Sequence, residues 1–162
     1  MTLYECGVRC ERTMENGMTK KVTELYLVDA ICFSEAEGRI TKELRPCISG
    51  DFDVVTIKRT NISEIVGLDY ACGDKWFKAK VNLITLDEKT NKEKKSPVHF
   101  IVRATDIDNA NDRVDKHMAN TLFDYEVASL GETKIMDLFR YKVDNEPSDD
   151  DEPSDDELSD ND

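Results

Sequence analysis

The sequence predicts an α+β fold: two tandem, pseudo-symmetric β-β-α-β units forming one compact body, with antiparallel sheet or sheets and two main helices, plus a disordered acidic C-terminal tail. Three observations predict it. Blocks of sequence recur in the same order at almost one offset. Within each copy, apolar residues alternate along two segments and then recur every four residues along a third. The negative charge is concentrated at one end of the chain.

The recurrence is the strongest of the three. Residues 3–10 (Leu-Tyr-Glu-Cys-Gly-Val-Arg-Cys) match residues 76–83 (Trp-Phe-Lys-Ala-Lys-Val-Asn-Leu) at an offset of 73. Residues 33–40 match 107–114 at an offset of 74, sharing an apolar opening, a capping residue, Ala36 or Ala110, Arg39 or Arg113, and a β-branched end. Residues 57–66 match 130–139, again 73 apart.

In the first unit, residues 3–12 predict a strand, because Tyr4, Cys6, Val8 and Cys10 alternate on one face. Asn16-Gly17 predicts a hairpin turn, since both residues tolerate positive φ. Residues 21–31 form the second strand. A helix then begins at Ser34, whose hydroxyl caps a free N–H, with Glu37 as its capping-box partner. Ala36, Ile40 and Leu44 make its apolar stripe, and Pro46 ends it. Residues 52–59 are a third strand, and a short turn over 61–66 closes the unit.

The second unit repeats this with strands at 76–86, 98–104 and 125–130. Its helix carries the stripe Ala110, Val114 and Met118, with Asp108 at the capping position. Its hairpin loop, 87–96, is longer and contains Lys89, Lys92, Lys94 and Lys95. The units therefore span 1–66 and 76–143, joined by a linker at 67–75. Two such units either merge into a six-stranded sheet or pack sheet on sheet.

The tail is residues 144–162. It holds 11 acidic side chains and no basic ones, so removing it from the 35 Asp and Glu of the chain leaves 24 against 22 Lys and Arg. The formal charge of −13 is thus about −2 for the body and −11 for the tail. With Leu158 its only large apolar residue, the tail lacks the surface to offset its own ordering entropy and is expected to be disordered.

The N-terminus has no basic segment followed by an apolar one, and no apolar run is long enough for a membrane span, so a cytoplasmic protein without membrane contact is expected. Five cysteines form no disulfide framework or Cys-x-x-Cys pair, so no metal is expected, and Cys6 and Cys10 read as small core residues. No phosphate-cradling glycine loop, zinc-protease motif or nucleophile elbow is present, so neither an enzyme nor a bound cofactor is expected. His99 and His117 read as ordinary half-buried or surface histidines.

The candidate binding residues are basic. Lys20 and Lys21 lie by the first hairpin, with Lys58 and Arg59 at equivalent or nearby places. Lys92, Lys94 and Lys95 lie in the second. Period two puts Trp76, Lys78 and Lys80 on one face of a strand, with Phe77, Ala79 and Val81 facing the core. An exposed Trp76 would stack on bases while the lysines meet phosphates. The competing reading has Trp76 covering the sheet edge, its indole packed by lysine stems. The expectation is a non-catalytic accessory protein of phage or bacterial DNA replication or recombination that binds single-stranded nucleic acid, with the tail as autoinhibitory competitor. The alternative is a protein-interaction module or a phage-encoded inhibitor of a host nucleic-acid enzyme that uses the acidic tail as a DNA mimic, with protein partners engaged through the tail.

Several runs carry a resemblance: Lys20-Lys21-Val22-Thr23-Glu24, Leu27-Val28-Asp29-Ala30, Phe33-Ser34-Glu35-Ala36-Glu37, Trp76-Phe77-Lys78, Ile84-Thr85-Leu86-Asp87-Glu88-Lys89 and Glu132-Thr133-Lys134-Ile135-Met136-Asp137. With them, most of residues 1–143 resembles an uncharacterised family of small proteins found in Bacteroidetes and their bacteriophages. The resemblance implies a bacterial or phage cytoplasmic setting and supplies no enzymatic residues.

Overall fold

A computed structural model describes residues 2–68 and 73–140. The elements run β1 (Leu3–Thr13), β2 (Thr19–Asp29), α1 (Phe33–Leu44), β3 (Phe52–Arg59), β4 (Ile62–Val66), β5 (Lys75–Leu86), β6 (Glu93–Ala104), α2 (Ile107–Ala119), β7 (Asp124–Glu132) and β8 (Ile135–Phe139). They form two helices and two mostly antiparallel four-stranded sheets, ordered β3-β1-β2-β8 and β4-β6-β5-β7. Read in reverse, the second order is β7-β5-β6-β4, so each hairpin sits at the centre of its sheet.

The main departure from the sequence expectation is at 61–66. These residues are not a turn closing the first unit. They contain β4, which leaves the first sheet and pairs parallel with β6 of the second. In return, β8 follows β7 but pairs parallel with β2 of the first sheet. Each half thus lends the other its last strand.

The helices cover one face of each sheet. Ala36, Ile40 and Leu44 pack on Tyr4, Cys6, Val8 and Cys10, and all are buried. Ala110, Val114 and Met118 pack likewise on Phe77, Ala79 and Val81. A third cluster, Leu3, Leu27, Ile62, Trp76, Ile101 and Leu138, lies on the opposite faces and holds the two sheets together. The lent strands supply Ile62 and Leu138 to it. At its rim Thr60 donates its N–H (3.0 Å) and hydroxyl (2.7 Å) to the Leu3 carbonyl. Thr133 does the same to the Trp76 carbonyl at 2.9 and 2.8 Å.

The helices begin two residues earlier than the sequence suggests. The N-caps are Cys32 and Asp106, not Ser34 and Asp108. Asp106 accepts from the Asn109 N–H at 2.7 Å, whereas the Cys32 side chain makes no capping hydrogen bond. Glu35 and Asn109, on the first helical turns, instead reach back to the N–H groups of Ile31 and Thr105, both at 3.2 Å. Arg39 and Arg113 donate from the helices to the carbonyls of Asp29 and Arg103 at the strand ends. Gly67, with φ +92, lies against this second arginine: a Cβ there would sit 2.5 Å from the Arg103 carbonyl, so the position excludes a side chain.

The first hairpin turns where Asn16-Gly17 predicts, with Gly17 at φ +80 and Asn16 not in the positive-φ region; in the second loop the positive φ falls at Asn91, at 52. The second loop is shorter than expected, because β6 starts at Glu93. The acidic tail and residues 69–72 of the linker lie outside the described residues. No helix among those described is long and apolar enough to cross a membrane.

Candidate anion-binding face

Strand alternation builds the candidate site. On β5, Phe77, Ala79 and Val81 are buried under α2, which turns Lys78 and Lys80 to the opposite face. Both lysines are exposed. Directly across the ladder on β6 are Ile101 and His99, and on β7 Gly131 and Ser129. Paired residues share a face, so two lysines, an imidazole, a hydroxyl and a bare glycine lie together. They line an open groove of about 520 Å³.

His99 is half-buried in this face. Its pKa is held below the ordinary histidine value, first by burial and then by the Lys78 and Lys80 charges. The imidazole is therefore neutral at pH 7, and the positive charge of the groove is that of its lysines. Glu132 stands at the groove's end, but its carboxylate is turned toward Lys75 at 3.9 Å.

The other predicted residues divide. Trp76 shares the face of Lys78 and Lys80, as the period requires, but it is only 5 % exposed. The first sheet covers it, not lysine stems, so it is not available for base stacking; this corrects the exposed-tryptophan expectation. Lys95 lies on the same face, opposite Ile84, and pairs with Glu126 at 2.9 Å. Asn82 also donates to Glu126, at 3.1 Å, and the two donors lower its pKa, Asn82 more strongly. Lys94 is across from Thr85 and so faces the other side of the sheet. Lys92 is in the loop, whose Asp87 and Glu88 match Lys89 and Lys92 in number.

In the first sheet, Lys20 and Lys21 flank the hairpin, opposite Arg12 and Glu11. Lys58 and Arg59 are not near them. They pair with Glu5 and Tyr4 at the far end of the sheet, roughly 20–26 Å along the strand at 3.3 Å per residue. That face alternates in sign, with Glu5 beside Lys58 and Glu11 beside Lys21. The sequence reading thus named a wide set, of which only Lys78 and Lys80 sit together on open surface without an acidic residue directly across. It missed His99 and Gly131 as their neighbours. Strand register was the signal needed, and a sequence shows period but not register.

A family model described as a domain of unknown function, DUF4494, matches residues 2–141. No curated protein and no solved structure matches the chain.

Proposed function

We propose, for a chain that belongs to the DUF4494 family, a non-catalytic role: an accessory protein that binds single-stranded nucleic acid along the Lys78–Lys80 face of the second sheet, in a bacterial or phage cytoplasm. The observation that carries the reading is the pair of exposed lysines, two residues apart on one strand face, over an open groove. Such a face meets phosphates without reading bases, which suits sequence-tolerant binding. The acidic tail, with 11 negative charges, competes for this face at an effective concentration of the order of millimolar. The body is built, in this reading, from two diverged copies of one unit. Matching sheet orders support that origin, as do Thr60 and Thr133 and Arg39 and Arg113, each pair making the same contact 73 or 74 residues apart.

The test is fluorescence anisotropy of a labelled oligodeoxythymidine across a salt series. Replacing Lys78 and Lys80 together by Ala should weaken binding and reduce the salt slope by about 1.4, at about 0.7 per phosphate contact. An unchanged slope would remove this face from the account. A second reading, a module for protein partners, is favoured by the exposure of Leu86, Leu122 and Phe123 at the open end of the second sheet. It predicts a co-purifying protein and no oligonucleotide binding.

A further inference from the structure

The groove contains a gap that the lysine pair does not explain. Gly131 lies directly across from Lys78, and a Cβ built on it would meet nothing within 4 Å. Its backbone is not in the left-handed region that would call for glycine, and no packing neighbour excludes a side chain. Ser129, the next residue on this face of β7, is small, exposed and across from Lys80. The corresponding position in the first sheet differs. There Glu5 and Gly7 stand where the second sheet has Lys78 and Lys80, Lys58 stands where it has Gly131, and the Thr56 hydroxyl lies 2.3 Å from where a Cβ on Gly7 would be, so the surface is filled. Only the second sheet combines cations on its central strand with an uncovered floor on the neighbouring strand.

We propose that this floor is a nucleotide subsite: one sugar–base unit of a single strand lies over Gly131 and Ser129, while its flanking phosphates meet Lys78 and Lys80. The inference rests on the nucleic-acid reading above and deepens it. Lysines at i and i+2 of a strand have Cα atoms about 6.6–6.8 Å apart, so their flexible stems reach two successive backbone phosphates. Trp76 is buried and, among the described residues, no Trp, Tyr or Phe lines the groove, so the base rests against backbone at Gly131. Its polar neighbours are the Ser129 and Thr133 hydroxyls and the neutral imidazole of His99. These discriminate weakly among bases, and the subsite is sequence-tolerant.

Gly131 gives a sharp test, because filling open space leaves the fold intact. Gly131→Trp should weaken binding of oligodeoxythymidine by the full-length protein at least tenfold and leave the salt slope unchanged, since both lysines remain. Gly131→Ala should bind within about twofold of wild type. Ser129→Glu, which sets a carboxylate opposite Lys80, should also weaken binding, but through the lysine; Ser129→Trp, which fills the floor without adding charge, decides the matter if Gly131→Trp does not fold by circular dichroism. Inorganic polyphosphate should compete with wild type and Gly131→Trp equally, because it needs the lysines and not the floor; selective loss of polyphosphate competition in Gly131→Trp would assign the floor to phosphate instead. If Gly131→Trp and Ser129→Trp bind as wild type does while the double lysine variant is weakened, the subsite is wrong and the lysine face stands. If wild type does not bind the oligonucleotide, the subsite and the functional reading fall together.

Discussion

Arg12, Glu24 and Tyr26 form a polar cluster on the helix-facing side of the first sheet. Arg12 grips Glu24 with two hydrogen bonds, at 2.7 and 2.9 Å, and the Tyr26 hydroxyl donates to the same carboxylate at 2.7 Å. The Arg12 hydrogen bonds are the main reason the Glu24 carboxyl stays below the ordinary carboxylate range. A depressed folded pKa contributes stability that is fully present above the unfolded value, about 4.3 for Glu, and is lost as the pH falls through the folded one. Glu24→Gln should therefore unfold at a lower temperature than wild type at pH 7, with the gap closing below about pH 4. A gap independent of pH would show that the lost contacts and not the charge matter. Cys6, by contrast, is pushed up to about 11, first by burial, and is an inert core thiol as its strand position predicts. Trp76 marks where residue-level reading stops. Period two assigned its face, but nothing in its neighbours tells that the first sheet covers that face. Trp76→Ala should cost about 3–5 kcal/mol of stability, as for other buried tryptophans. If instead it lowered oligonucleotide affinity without changing denaturant unfolding, its burial would be contradicted.

Elements were legible where their periods are regular. The helix stripes and the β1 and β5 alternations are the observed buried faces. Each edge strand, however, carries one extra residue: Val55 in β3, Ser63 in β4, Ala128 in β7 and Met136 in β8. A bulge adds one residue to the spacing on a face. Ile62 and Ile65, three apart, therefore share a face in β4, as do Ile135 and Leu138 in β8. Three-residue spacing in a five-residue run looks like a turn, which is why 61–66 does not read as a strand. The bulges also blunt all four sheet edges against pairing with other chains. Ile40→Ala, under α1, should cost about 2–5 kcal/mol. In denaturant unfolding a loss under about 1 kcal/mol would place Ile40 outside the core. Leu138→Ala removes a lent side chain from the cluster between the sheets and should cost about 2–5 kcal/mol. A single unfolding transition is expected for it, because both sheets lose a shared contact. Two transitions would mean the sheets unfold independently.

At the scale of the whole molecule, strand exchange makes the halves interdependent. Each sheet is completed by a strand from the other half, so neither half alone can close its own sheet. The sequence showed an α+β chain with two helices and segregated charge, but not the exchange, since a strand's partner is fixed by tertiary contact rather than by its own residues. The same limit holds for the site: the lysines were visible, and their assembly with His99 and Gly131 was not. Charge segregation leads to the measurement that tests the account most directly. Anisotropy of a labelled single strand should be followed with the full-length protein and with residues 1–143 across a salt series. Both should bind at about 50 mM salt. Residues 1–143 should bind more tightly, and the advantage should shrink as rising salt screens the 11 tail charges. Binding by neither at about 50 mM salt would contradict the nucleic-acid reading, and equal binding at every salt would contradict the tail's role as competitor.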